Sequence, residues 1–506
     1  MQSPNPIREA LAAGRFFYMV ELVPSAKQPE AKVFEAASEL TKVPGLVAAS
    51  VTSYAGGSVG HDPVRISAGV NARGMTPNVH ITCVNKDRLD ILRSLEDLYA
   101  LGIENVFAIS GDYPLGDKAN PPLWAMDSVQ LIEMISELRS AGMPFHISCA
   151  VSPFKYTEAD CVYQYIKLEK KIKAGADFAI TQLGYDSKKM RELKRYLAER
   201  DIKTPIMGNV YLLPKGAAEK FAKAEPPGCW VSPELLERVR EEAKAEDKGM
   251  AARLERAARM VAVQRGLGYA GSYFGGDHNP DRLKWIIQRS EEIADQWESI
   301  AEEMEWGKKG GFYFFEQQPA PPKPRGFVAN SMDAMGRSFN VKREGPLRGI
   351  LKGVMNWVDS KPGLAHTMER IEYAVKSPMF GCQACGNCVL SDMEYVCPMT
   401  CPKNMRNGPC GGTFMSQCEV IPEKPCIWVD VYERAKAANE LDYLREYIPP
   451  RLLSLKGTSS WINFFLDRDS RPGHDRNPIA SDLVQIQKGS TAAYEEVLVE
   501  QKKGSE

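Results

Sequence analysis

Phe16-Phe17-Tyr18-Met19-Val20-Glu21-Leu22-Val23 is the run from which the fold is read. Its residues are aromatic, β-branched or otherwise apolar apart from Glu21, and Pro24 ends it, so it reads as a strand. Similar short runs follow at 46–51, 78–83, 105–110, 145–150, 178–182, 205–210 and 269–274. Longer stretches with apolar residues at three-to-four spacing lie between them, at 30–40, 87–99, 129–140, 159–174, 188–199 and 251–265. This succession of strand and helix predicts an α/β protein whose first part is a (β/α)8 TIM barrel. A doubly wound sheet would alternate in the same way, but no G-x-G-x-x-G follows the first strand.

In a barrel of this kind the chemistry sits at the carboxyl ends of the strands. Those ends carry Glu21, Thr52, His80 with Thr82, Asp112, Ser148, Gln182, Asn209 and Gly275-Gly276-Asp277, a polar rim with carboxylates from separate strands. Glu21 is an acid set in an apolar strand, where burial would keep it protonated and fit it to donate a proton. The competing reading is a structural glutamate paired with a buried Lys or Arg. Asp112, in Ser110-Gly111-Asp112-Tyr113-Pro114, reads equally well as a turn or capping residue. His278 follows a glycine pair that would admit a phosphate or simply form a loop. The insertion 225–249 reads as solvated surface, a lid or a docking surface.

Eight of the twelve cysteines crowd into 381–426: Cys382, Cys385, Cys388, Cys397, Cys401, Cys410, Cys418 and Cys426. The spacing Cys382-x-x-Cys385-x-x-Cys388 grips three corners of a cubane as ferredoxin-type loops do, and eight thiolates suit two four-cysteine sites. One or two [4Fe-4S] clusters are expected, with zinc the competitor at one or both sites. The start of the chain has no apolar signal segment, so a reducing cytoplasmic setting is expected rather than disulfides. Cys83, Cys149, Cys161 and Cys229 are isolated and read as inert buried thiols.

Lys+Arg 64 against Asp+Glu 65 leaves a net charge of -1, which argues against nucleic acid as the main partner. No run of apolar residues is long enough to span a membrane. The composition divides the chain into a barrel at 1–306, a Gly/Gln/Pro-rich linker at 307–345, a cysteine-rich domain at 346–484 and a polar tail at 485–506 that is expected to fray. Residues 290–306 read as one long acidic helix closing the barrel, and 429–447 as a helix after the cysteines.

Residues from about Phe16 to Gly276 resemble methylenetetrahydrofolate reductase, a flavin-containing barrel. The likeness runs through Val20-Glu21-Leu22-Val23-Pro24, Ser50-Val51-Thr52, His80-Ile81-Thr82-Cys83, Ala108-Ile109-Ser110-Gly111-Asp112 and Lys171-Ile172-Lys173-Ala174-Gly175-Ala176-Asp177-Phe178-Ala179-Ile180-Thr181-Gln182. The resemblance implies that Glu21 is the general acid, that Asp112 lies beside flavin and pterin, and that Gln182 contacts folate. It also implies that Thr52, His80, Lys171 and Ala176 help hold FAD or FMN. Ser110 and Ala150 stand where the family carries an arginine and a flavin-contacting tyrosine, and Gln164 and Lys167 replace its Asp and Asn. No stacking aromatic is visible after Pro214.

Residues from about Leu347 to Arg468 are similar to the small cysteine-rich subunit that accompanies this reductase in acetate-forming anaerobes. The likeness rests on Phe380-Gly381-Cys382, Cys397-Pro398-Met399-Thr400-Cys401-Pro402, Arg406-Asn407-Gly408-Pro409-Cys410-Gly411-Gly412 and Cys426-Ile427-Trp428. Together the two likenesses imply interconversion of 5,10-methylenetetrahydrofolate and 5-methyltetrahydrofolate, with electrons relayed by clusters from a ferredoxin or flavoprotein, and a homo-oligomer. An NAD(P)H-dependent reductase with a structural zinc domain, and a folate-binding methyl-transfer protein, remain the alternatives.

Overall fold

The computed structural model describes residues 5–53, 55–114, 122–322, 326, 327, 330, 331, 348–469 and 491–498. The strands β1 (Phe17–Leu22), β2 (Leu46–Val51), β3 (Thr76–Thr82), β4 (Asn105–Ile109), β5 (His146–Val151), β6 (Phe178–Thr181), β7 (Ile206–Tyr211) and β8 (Gly271–Gly275) pair in parallel, each with the next. β8 returns to β1 and closes the barrel. Around it run α1 (Pro6–Ala12), α2 (Glu30–Leu40), α3 (Pro63–Ala72), α4 (Arg88–Ala100), α5 (Ser128–Ser140), α6 (Glu158–Lys173), α7 (Ser187–Glu199), α8 (Lys215–Phe221), α9 (Pro233–Glu242), α10 (Met250–Gly266), α11 (Pro280–Glu292) and α12 (Trp297–Glu303). The expected (β/α)8 barrel is the observed one.

Alternation along β1 sorts its residues. Tyr18, Val20 and Leu22 pack outward with the helices, while Phe17 and Met19 fill the lumen together with Phe107, Phe178, Met207 and Tyr273. Ile7 and Ala10 of α1 join that inner cluster and plug its amino-terminal end. The same period of two turns Glu21 inward, one layer above the plug, at the open carboxyl end.

Two helix expectations need correction. Residues 290–306 are not one helix: α11 ends at Glu292, a 3-10 turn spans Ala294–Gln296, and α12 follows. Residues 429–447 break likewise, into α15 (Ile427–Ala438), which follows α13 (Arg348–Asp359) and α14 (Pro362–Phe380), and a 3-10 turn at Leu441–Arg445. Asn439 adopts a left-handed conformation and caps α15 at the break. A short α16 (Ser460–Phe465) ends the described part of the cysteine-rich region.

Within the linker-like stretch, Phe312 is buried, the Tyr313 hydroxyl donates to Asp186, and Phe314 N donates to Glu192 of α7. In the tail, Tyr494 and Val497 are buried and the Tyr494 hydroxyl reaches Asp97 of α4; residues 485–490 and 499–506 lie outside the described residues.

Candidate active site at the barrel mouth

Glu21, Thr52, His80, Ser110, Asp112, Ala150, Lys171 and Gln182 all line one cavity of about 380 Å3 that opens from the carboxyl end of the barrel to solvent. Ala176 lies outside it, buried behind Lys171, whose carbonyl accepts from Ala176 N. Enclosure by the barrel pushes the Glu21 carboxyl up to about 7, and the nearby negative charge of Asp112 acts in the same direction. A carboxyl raised this far is divided about evenly between its protonated and ionised forms at neutrality. The structural alternative called for a Lys or Arg partner, and none is found for Glu21 among the described residues. The His278 ring binds the Glu21 backbone carbonyl at 2.5 Å, so His278 secures the strand end.

Asp112 stands on the rim with an exposed side chain and accepts a hydrogen bond from Gly56 N at 2.8 Å. Partial desolvation raises its proton affinity and Lys403 opposes the rise. His80 is buried, held well down at about 3 by desolvation and therefore neutral, with its ring against Ser50 Oγ at 3.1 Å. Ser110 is occupied on both sides, its hydroxyl accepting from Ser128 N and its carbonyl from the Trp124 indole. Lys171 donates to the Ala150 carbonyl at 2.6 Å, and burial lowers its ammonium to about 8. Asn209 Oδ1 lines the pocket with no partner among the described residues, an acceptor available to a ligand N–H.

Tyr211 and Phe221 line the pocket with ring centroids 5.5 Å apart, so aromatic surface is present where none was expected. Tyr211 lies before Pro214, on β7 itself, and Phe221 lies on α8.

The cysteine-rich region completes the mouth. Lys403, Pro409 to Gly412 and Glu419 line the same pocket as Glu21. Lys403 donates to the Gly111 carbonyl at 2.9 Å and pairs with Glu419, both side chains being buried. Asp127, which caps α5, also accepts from Arg406 N and Asn407 N. Gln164 and Lys167 of α6 donate to the carbonyls of Cys410, Gly408 and Pro409. Pro226, Pro227 and Cys229 of the insertion line the pocket as well, and Trp230 stacks on Phe414 at 5.7 Å. Of the readings open for this insertion, the structure favours a docking surface, and the partner is the chain's own carboxyl-terminal region.

The eight clustered cysteines form two groups. Cys382, Cys385, Cys388 and Cys397 line a separate cavity of about 30 Å3 whose walls come wholly from the cysteine-rich region, between Glu369 and Ser460. Cys401 lies within electrostatic reach of Cys410, Cys418 and Cys426 beside the barrel, and Cys410 within reach of Cys426. Among the described residues no three His, Cys, Asp or Glu side chains converge as the shell of a single ion would require. The first group instead surrounds a space, and four thiols around a cavity suit a group larger than one ion. Cys83, Cys149, Cys161 and Cys229 are buried, and desolvation raises all four thiols, as inert cysteines require.

A family model described as methylenetetrahydrofolate reductase matches residues 6–264, just over half of the chain. The chain belongs to the methylenetetrahydrofolate reductase family. A second model, described as the methylenetetrahydrofolate reductase carboxyl terminus, matches residues 361–454 and covers all eight clustered cysteines. Over 143 residues the chain is 31% identical to a probable methylenetetrahydrofolate reductase (NADPH) of Caenorhabditis elegans, covering 27% of this chain and 20% of that protein. Over 129 residues it is 30% identical to the 5,10-methylenetetrahydrofolate reductase of Escherichia coli K12, covering 25% of this chain and 39% of that protein. The chain thus spans between a fifth and two fifths of the length of these curated relatives. A solved Clostridium thermocellum protein that binds two copies of 5-methyl-5,6,7,8-tetrahydrofolic acid superposes with a TM-score of 0.40 at 12% identity, over 57% of this chain and 99% of that one. No helix among the described residues of this family member is long and apolar enough to cross a membrane.

Proposed function

We propose that the chain interconverts 5,10-methylenetetrahydrofolate and 5-methyltetrahydrofolate at the barrel mouth, with a flavin bound there and electrons brought by iron-sulfur clusters on the eight cysteines. The observation that carries this reading is the pocket itself, in which Glu21, its carboxyl raised to about 7, and Asp112 share one cavity with the Cys410 loop of the cysteine-rich region.

A bound flavin would supply hydride to the methylene carbon. Glu21 gives its proton to the nitrogen that must leave the methylene bridge. Asp112 offers a carboxylate to the N–H donors of a pterin, and Asn209 Oδ1 and Gln182 add further polar contacts. Thr52, His80, Ser110, Ala150 and Lys171 form the wall against which a flavin ring would rest, with Ala176 backing Lys171. Gln164 and Lys167 already give their donors to the 408–410 carbonyls, so the ribityl and phosphate of FAD or FMN would take their contacts from other residues. The electron partner is a ferredoxin or flavoprotein; direct use of NAD(P)H with zinc in the cysteines is the competing reading.

Anaerobic purification followed by assay of flavin, iron, acid-labile sulfide and zinc tests the proposal. Flavin with roughly eight irons per chain is the expected result, two cubanes' worth. Zinc without sulfide, together with direct NADPH oxidation, would overturn the relay and leave a structural zinc module on a nicotinamide-linked reductase.

A further inference from the structure

The corner that follows β4 is held at each of its residues. The Ser110 carbonyl accepts from the Trp124 indole at 2.8 Å and the Ser110 hydroxyl from Ser128 N at 3.2 Å, while the Tyr113 ring stacks on Trp124 with centroids 5.5 Å apart. Gly111 turns the chain with a φ of +85°, and a side-chain carbon there would lie 2.8 Å from Val84 Cγ1. The Asp112 carboxylate accepts from Gly56 N at 2.8 Å. These partners all belong to the barrel. The partner of the Gly111 carbonyl does not: it accepts at 2.9 Å from Lys403 Nζ, in the cysteine-rich region.

Lys403 is itself fixed. Its side chain is almost wholly buried, Glu419 pairs with its ammonium, and the Trp124 ring centroid lies 5.8 Å from Nζ. Glu419 accepts from the Cys410 thiol at 3.2 Å, and a side-chain carbon at Gly412 would fall on its carboxylate. A buried ammonium must keep the few groups that compensate it, so Lys403 has little freedom to leave Glu419 and the Gly111 carbonyl. That carbonyl is one peptide from Asp112. The charge of Lys403 also favours the ionised Asp112, and the charge of Glu419 works against it.

We propose that Lys403 is a positioning residue for the folate site, holding the corner that carries Asp112 so that its carboxylate meets the N–H donors of the pterin, with Glu419 holding Lys403 in place. The cysteine-rich region is then part of the substrate site in its own right, whatever its cysteines bind. A carboxylate that must meet the edge of a ring tolerates little displacement, so loss of the hold at Gly111 appears first as lost folate affinity. This rests on the folate reading of the pocket given above, and it is independent of the electron source.

The test uses the full chain. The dissociation constant of 5-methyltetrahydrofolate is read by anaerobic titration calorimetry of the dithionite-reduced protein, for wild type, Lys403→Met, Asp112→Asn and the variant carrying both. Lys403→Met is expected to weaken binding roughly tenfold, the worth of one charge-assisted hydrogen bond. Because Lys403 acts through the Asp112 carboxylate, the double variant should bind no more weakly than Asp112→Asn alone, within about twofold. Should Lys403→Met misfold by circular dichroism, Glu419→Gln takes its place in the same cycle with the same expectation. Unchanged affinity in the single variant, or a double variant weaker than Asp112→Asn beyond that margin, would overturn the positioning role, since a loop merely loosened weakens folate binding with or without a carboxylate at 112. Wild type that binds no folate would overturn the folate reading itself, and the positioning role with it.

Discussion

At Glu21, enclosure by the lumen and the charge of Asp112 both favour the proton. The carboxyl is raised in the folded chain from 4.5 to about 7, so the folded state binds a proton that the unfolded state releases. The sign follows: below the unfolded value both states are protonated and Glu21 costs nothing, and as pH rises through that window toward 7 stability falls. The full penalty is on the order of 3 kcal/mol, less to the extent that pocket water reaches the group. Glu21→Gln should therefore raise the melting temperature at pH 8 and leave it almost unchanged at pH 4.5, as calorimetry at the two pH values would report. The same variant should lower folate turnover by roughly 10²–10⁴-fold while sparing reduction of the flavin by an artificial donor. Surviving turnover would remove Glu21 from the acid role. In wild type, folate reduction should decline as pH rises through about 7, where Glu21 loses its proton.

Glu21 was legible from the chain because a single acid interrupts an apolar run. Lys403 and Glu419 were not, since their place in the pocket depends on a contact between Lys403 and Gly111 that spans 292 residues. Phe221 and Tyr211 escaped for a different reason: Phe221 reaches the pocket from a separate helix and Tyr211 from the strand end, so neither stands directly after Pro214.

Among the elements, α3 has little helical signature in the sequence because Ser67, Gly69 and Asn71 are weak helix formers. The small residues are there for packing. A side-chain carbon at Gly69 would come within 2.3 Å of the Phe34 ring on α2. Gly→Ala in a helix ordinarily stabilises by about 1 kcal/mol, yet Gly69→Ala should lower stability by a net 1–3 kcal/mol, roughly the cost of overpacking; an unchanged denaturation midpoint would show that Phe34 yields freely. Strand ends shifted by one or two residues from expectation, as backbone pairing with neighbours decides where a strand stops. α5 couples the two parts of the chain. Asp127 caps it through Val129 N and Gln130 N and also takes Arg406 N, Asn407 N and the Asn407 amide. Removing its carboxylate orphans donors on both sides, so Asp127→Ala should cost at least about 3 kcal/mol. Limited proteolysis should then release the carboxyl-terminal region at denaturant concentrations that leave the wild type whole.

For the whole molecule, the decisive surface is the seam. Tyr163 meets Trp428 edge to face at 5.3 Å, the Tyr432 hydroxyl donates to Glu158 at 2.8 Å, and Lys436 pairs with the same carboxylate in a nearly enclosed setting. Buried pairs and aromatic contacts are poorly screened by salt. A protease site inserted after Pro322 and then cleaved should yield two fragments that still co-elute by gel filtration in 1 M salt; separation would mean that the seam is held mainly by exposed charges. The barrel and the cysteine-rich region were each legible in the chain, one from its alternating runs and the other from its thiols. Their docking was not, because neither the lysines of α6 nor the 408–413 carbonyls have a pattern that points to the other.

The loop that closes the mouth is encoded more than a hundred residues after the last barrel strand, between Gly408 and Thr413. A ribosome adding roughly 5–20 residues per second takes on the order of ten seconds to cover that interval. During synthesis the barrel can therefore close while its mouth still stands open, and the loop from Gly408 to Thr413 is laid over a pocket whose floor has already formed.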